Sequence, residues 1–314
     1  MRGIKKYLSL VTFAHTIFAL PFAIIGFVLG ITSHSYWKFN PALKPALPVN
    51  YPKTISELVI RFILVLGCMV FARSAAMAFN RWLDKSFDAN NPRTSIREIP
   101  AGVIKADNAL IFVIVNCIAF IICCWFINLL CFYLSFVALF VILFYSYTKR
   151  FTVLCHMILG IGLSLAPIGS YLAVTGTFNL LPVLFSFTVL TWVSGFDIIY
   201  ALQDEQFDKE NHLHSIPVAL GKSGALRISE ALHFVSSLFV ISAGIYGSFR
   251  IWYWLGVAFF IALLIYQHLL VKPTDLTKVN RAFFTTNGIA SVVFAVFVLI
   301  DIFRNSNLYL IVSL

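Results

Sequence analysis

Apolar stretches, each close to 20 residues long and separated by short polar connections, fill most of the chain. They centre on residues 8–32, 57–80, 108–127, 129–148, 153–174, 180–203, 230–249, 251–271 and 284–303. About 20 apolar residues in an α-helix, at 1.5 Å per residue, match the hydrocarbon thickness of a bilayer. The pattern therefore predicts an all-α, polytopic membrane protein with about nine spans. It predicts a single domain over residues 1–314, because no soluble domain, low-complexity segment or short-period repeat interrupts it. The first stretch follows a basic start, Met1 to Lys6, and is too long for the apolar core of a signal peptide. We read it as a retained first span.

Composition agrees. Hydrophobic residues make up 60% of the chain and charged residues only 11%, with a mean hydropathy of +0.91. A soluble chain is closer to one quarter charged and could not hide this much apolar surface. The net charge of +10 sits in short connections between spans, where it reports topology rather than nucleic-acid binding. With nine spans, 16 of the Lys and Arg residues fall on the side of the N-terminus and five on the other. That bias puts the N-terminus in the cytoplasm and the chain in the cell's inner (plasma) membrane. The six cysteines all lie in apolar stretches, with no metal-binding or disulfide spacing.

Two acidic motifs carry the candidate chemistry, and both fall on the cytoplasmic side. The second span ends in Arg73, Asn80, Asp84 and Asp88, and the sixth in Asp197, Tyr200, Asp204 and Asp208. Spacings of 3, 4 and 7 put each set along one helical face. Carboxylates one turn apart repel unless a cation lies between them. Mg²⁺ prefers oxygen ligands and takes one or two carboxylates plus substrate phosphates. Two D-x-x-x-D helix ends facing one another can thus hold a diphosphate through Mg²⁺. Arg73 can reach a phosphate or pair with a carboxylate. Asp197 lies in apolar sequence about 10 Å deeper than Asp204, too far to share one ion with it. It either acts on the acceptor or on a cationic intermediate, or pairs with a buried Arg such as Arg73.

Basic residues follow both motifs. Arg93, Arg97 and Lys105 come after the first and Lys222 after the second; the fourth span ends in Tyr145, Lys149 and Arg150. Such groups suit diphosphate oxygens. Glu98 is expected to pair with Arg97 or Arg93. His15, in the first span, is a candidate for the acceptor pocket, and His212 and His214 are read as loop residues.

N-x-x-x-D-x-x-x-D after the second span, Y-x-x-x-K after the fourth and D-x-x-x-D after the sixth resemble the UbiA superfamily of intramembrane aromatic prenyltransferases. The resemblance covers essentially the whole chain. It implies helices around a central cavity open sideways to lipid, and Asp84, Asp88, Asp204 and Asp208 as Mg²⁺–diphosphate residues with Asn80. It also implies that Tyr145 and Lys149 contribute to the diphosphate site. The chain looks most similar to 4-hydroxybenzoate polyprenyltransferase-like proteins, and the run His15 to Ala23 to the branch assigned to menaquinone formation by the futalosine route. The implied substrates are a lipid-dissolved polyprenyl diphosphate and an aromatic acid, 4-hydroxybenzoate or a naphthoate, joined during ubiquinone or menaquinone biosynthesis. The alternatives are a transporter of an anion or divalent cation, and a prenyltransferase for another acceptor such as haem.

Overall fold

The computed structural model describes residues 16–36, 51, 52 and 54–305. Nine long helices account for most of them: α1 (Thr16–Tyr36), α2 (Ile55–Leu83), α4 (Ala106–Ile127), α5 (Leu129–Thr148), α6 (Cys155–Thr175), α7 (Leu180–Ala201), α9 (Ile216–Tyr246), α10 (Ile251–Leu270) and α11 (Asn287–Asn305). Two six-residue helices, α3 (Lys85–Asn90) and α8 (Glu205–Glu210), follow α2 and α7. Among the described residues eight helices are long and apolar enough to cross a membrane, and α1 contributes a further apolar run at Phe18–Thr32. About nine spans were expected, and the described residues agree.

The helices form a closed circuit. α2 packs on α4 and α5, α5 on α6, α6 on α1 and α7, α7 on α9, α9 on α10, α10 on α11, and α11 on α1. The largest apolar core lies on the α1, α7, α9, α10 and α11 side, around Phe22, Phe185, Trp192, Tyr253 and Phe294. Ile114 and Ile118 on α4 and Phe136 and Phe140 on α5 stay exposed, as expected where lipid replaces water.

Helix starts are satisfied locally, since an unpaired N–H in an apolar medium is costly. Asn128 Oδ1 accepts from Cys131 N at 2.8 Å and Asn179 Oδ1 from Leu181 N at 2.9 Å. α10 has no side-chain cap of its own. The buried Asp301 of α11 serves instead, accepting from Arg250 N and Tyr253 N.

Two helices depart from the expected spans. α9 begins at Ile216, well before residue 230. Ser215 accepts from Val218 N, Pro217 occupies the first turn, and Gly221 interrupts the helix at φ 67° and ψ 174°. Hydropathy sees only the later, lipid-facing part, because the first turns carry Lys222, Arg227 and Glu230. α11 is preceded by a π-helical turn, Arg281–Thr286. The Asn287 side chain donates to Ala282 O and Phe283 O there and accepts from Trp192 Nε1 at 2.9 Å.

Candidate active site

Both acidic motifs sit at helix breaks. α2 stops at Asp84, whose backbone is at φ −92° and ψ 11°. α7 passes through a 3₁₀ turn, Leu202–Asp204, and breaks at Asp204 with φ −103° and ψ 1°. This sparsely populated region of backbone space is common at active sites. The break changes one expectation: each motif is not one continuous helical face. Asp84 and Asp204 line a central cavity of about 550 Å³, whereas Asp88 and Asp208, carried on α3 and α8, do not.

Each of the four carboxylates has its own basic partner, and the pairing crosses between motifs. Arg150 Nη2 donates to Asp84 Oδ1 at 2.8 Å. Arg97 Nη1 donates to both oxygens of Asp88 at 2.7 and 2.9 Å. Arg93, from the loop after the first motif, reaches the second: its Nε donates to Asp204 Oδ1 at 3.0 Å and its Nη1 to Tyr200 Oη at 2.9 Å. Asn91 Nδ2 also donates to Asp204. Lys149 Nζ lies 2.7 Å from Asp208 Oδ1. The adjacent residues Lys149 and Arg150 therefore part, one to each motif. Asn80 Nδ2 donates to Asp84 Oδ2 at 3.1 Å.

Electrostatics follow from burial and these pairs. Burial raises the Asp84 pKa, against the pull of Arg150. Burial alone would lower the pKa of Lys149, but Asp208 outweighs it and the value rises. Arg93 behaves likewise, with Asp204 overcoming burial. Asp208 is 1% exposed, and apart from the Lys149 contact neither of its oxygens accepts an aligned hydrogen bond among the described residues. Such unused acceptor capacity suits a hard cation or its water shell. Among the described residues no three His, Cys, Asp or Glu side chains converge tightly enough to hold a metal unaided. A cation here would need substrate oxygens to complete its shell.

The cavity narrows the roles of the other expected residues. Arg73, Asn80, Arg97, Tyr145, Lys149, Asp197 and Tyr200 all line it. Arg73 has no ion-pair partner among the described residues, and its Nε is buried without a hydrogen bond. The Tyr200 ring stacks on Phe283 at 4.2 Å. Arg93 is not in the wall but holds Asp204 and Tyr200 from behind. Lys222 is elsewhere, in a shallow groove with Glu205, Gln206 and Lys209. Its place after Gly221, in the early turns of α9, turns it away. Glu98 pairs with Arg81 at 3.6 Å rather than with Arg97 or Arg93, since those two are taken by Asp88 and Asp204. His15 lies outside the described residues. From the motifs the cavity runs along apolar walls of α2, α5 and α6, past Met69, Leu134 and Leu165, to Ile127 and Phe178 near the opposite helix ends.

Sequence spacing gave no role to two participants, Asn91 and His156, while Arg150, read with Lys149 as suited to diphosphate oxygens, meets Asp84. Asp197 pairs with His156 Nδ1 at 2.7 Å, not with Arg73. Only a close α6–α7 approach brings them together. Gly160 allows it, because a Cβ there would lie 2.3 Å from Ser194 Oγ and 2.5 Å from Leu190 O.

The sequence matches the UbiA prenyltransferase family over residues 19–289. It is 31% identical over 248 residues to a 4-hydroxybenzoate octaprenyltransferase of Francisella tularensis subsp. mediasiatica, covering 78% of this chain and 84% of that protein. The fold is similar to the apo structure of a UbiA homologue from Aeropyrum pernix K1, with TM-score 0.76, 27% identity and coverage of 91% and 98% of the two chains. It is also similar to a UbiA homologue from Archaeoglobus fulgidus bound to GPP and Mg²⁺, with TM-score 0.71, 20% identity and coverage of 95% and 99%. The chain belongs to the UbiA prenyltransferase family.

Proposed function

We propose that this protein transfers a polyprenyl group from polyprenyl diphosphate to an aromatic acid, 4-hydroxybenzoate or a naphthoate, in respiratory quinone biosynthesis. The observation that carries the reading is the cavity itself. Asp84 and Asp204 stand at one end of it, and apolar walls continue to Phe178 at the other. A diphosphate and a long hydrocarbon tail need these two environments in this order. The Francisella relative, a 4-hydroxybenzoate octaprenyltransferase, supports the aromatic acceptor.

Mg²⁺, held by Asp84 and Asp204 with Asp88 and Asp208 behind them, would neutralise diphosphate charge and promote its departure. The Mg²⁺ and GPP in the Archaeoglobus homologue support this, as does the unused acceptor capacity of Asp208. Arg97 and Lys149 line the cavity and can turn from their carboxylates to the phosphate oxygens as the ester bond breaks. Asn80 and Tyr145 orient the diphosphate. The apolar wall excludes water from the allylic cation. Arg73 offers an unpaired positive charge to an anionic substrate group.

The protein is a single domain of the inner membrane, and the charge bias supports a cytoplasmic N-terminus with both motifs on that side. The test is purified protein in detergent with polyprenyl diphosphate, Mg²⁺ and each acceptor in turn. The expected result is a prenylated aromatic acid by mass spectrometry. No prenylated product from any aromatic acid would reject the reading. Thiol labels at Ser95 and Ser215 should react from the cytoplasmic side only; labelling of either from outside would reverse the orientation.

A further inference from the structure

The buried His156 and the half-buried Asp197 form a dyad in the cavity wall that the diphosphate chemistry does not use. Both line the cavity. His156 is 3% exposed. Its Nδ1 lies 2.7 Å from Asp197 Oδ2, so with a carboxylate as acceptor Nδ1 carries the proton and donates. In the neutral imidazole Nε2 is then the basic nitrogen, and among the described residues it has no hydrogen-bond partner. An unpaired buried polar atom costs about 1–3 kcal/mol, and His156 Nε2 shares that state with His268 Nδ1. His233 shows the contrast: buried between α7 and α10, it uses both ring nitrogens, one on His268 and one on the Trp192 carbonyl.

The dyad also has the position the chemistry needs. Asp197, on α7, precedes Asp204 by seven residues, about 10 Å at 1.5 Å per residue, which would place it beyond a bound diphosphate and nearer the first carbons of its tail.

We infer that His156 Nε2 is the base that removes the ring proton from the aromatic acceptor, with Asp197 positioning the imidazole and stabilising the imidazolium. This rests on the transferase reading above. The donor C1–O bond breaks and its electron pair leaves with the diphosphate. A ring π pair of the acceptor forms the new bond to C1. The ring C–H proton passes to Nε2, and its electron pair restores aromaticity. Asp197 stays ionised throughout, holding the tautomer with Nδ1 protonated.

The test uses the full-length protein with Mg²⁺, polyprenyl diphosphate and whichever of 4-hydroxybenzoate or a hydroxylated naphthoate the wild type prenylates, in ring-protiated and ring-deuterated forms. Wild type should show a rate ratio near one, because ionisation is slower than proton loss. His156→Gln keeps the size and a hydrogen bond to Asp197 but has no basic nitrogen. It should slow product formation by about 10²-fold, the usual weight of a positioned base, and raise the isotope ratio clearly above one. Asp197→Asn should shift the ratio in the same direction by less. The double variant should be no slower than His156→Gln alone, as for groups acting as a unit. A His156→Gln protein with near-wild-type turnover, or one slowed with a ratio still near one, would overturn the assignment. Should His156→Gln not fold, Asp197→Asn decides by the same ratio. Absence of product from the wild type would instead reject the transferase reading and is separable from these outcomes.

Discussion

The two acidic motifs look alike in sequence and break their helices in the same way, yet they hang on different supports. α7, which carries the second motif, buries twelve of its 22 residues and packs between α6 and α9. α2, which carries the first, buries four of 29, and much of its surface faces lipid. One motif is fixed to the core of the molecule and the other to its rim. What joins them is polar: Arg93 and Asn91 reach from the first motif's loop to Asp204, and Lys149 and Arg150 divide between Asp208 and Asp84. The lesson is that a diphosphate site can be assembled from one rigid half and one half held mainly by ion pairs. Those same pairs are the groups a diphosphate would recruit.

The comparison is most exposed at Trp192. It is fully buried on α7 and donates to Asn287. Trp192→Ala should cost about 3–5 kcal/mol, as large-to-small core changes do. Val65→Ala on α2 should cost about 1 kcal/mol, a typical value for a point change. Thermal unfolding in detergent compares them, and equal losses would remove the distinction between core and rim.

A smaller effect is expected where α6 meets α7. Gly160→Ala places a Cβ against Ser194 and the Leu190 carbonyl, at about 1–3 kcal/mol for overpacking. The shift should also separate His156 from Asp197, so turnover should fall more than donor binding does. Unchanged turnover would mean that the dyad does not depend on this contact.

Lys222 should matter least. It faces a groove apart from the cavity, so Lys222→Ala should leave turnover per folded molecule as it is and change stability by no more than about 0.5 kcal/mol. A clear loss of turnover would extend the site to that groove.

These residues also show how far the sequence alone could be read. Asn80, Asp84, Asp204, Tyr145 and Lys149 were legible because each motif is local, and repeating one at the end of a second span argued for a shared ligand. The breaks at Asp84 and Asp204 were not. Asp88 N still donates to Asp84 O at 2.7 Å, so the i, i+4 pattern reads as an unbroken helix. His156 escaped for another reason: its partner is 41 residues away, and no spacing within one helix records a contact between two. Arg150 read like Lys149 as a group suited to diphosphate oxygens; adjacent residues point different ways, and only the structure shows that one meets Asp84 and the other Asp208. The early start of α9 was hidden because hydropathy reports the lipid-facing turns and not the polar ones at the membrane's edge.

The central claim is that the two motifs form one site. Calorimetric titration of diphosphate into the protein, with Mg²⁺ or with EDTA, tests it in wild type, Asp84→Asn and Asp204→Asn. We predict Mg²⁺-dependent binding to the wild type, none in EDTA, and a loss of about 10²-fold or more in affinity in each variant alone, of the order that removing one preorganised charge-stabilising group produces. Wild-type affinity in either variant, or binding that survives EDTA unchanged, would contradict the account.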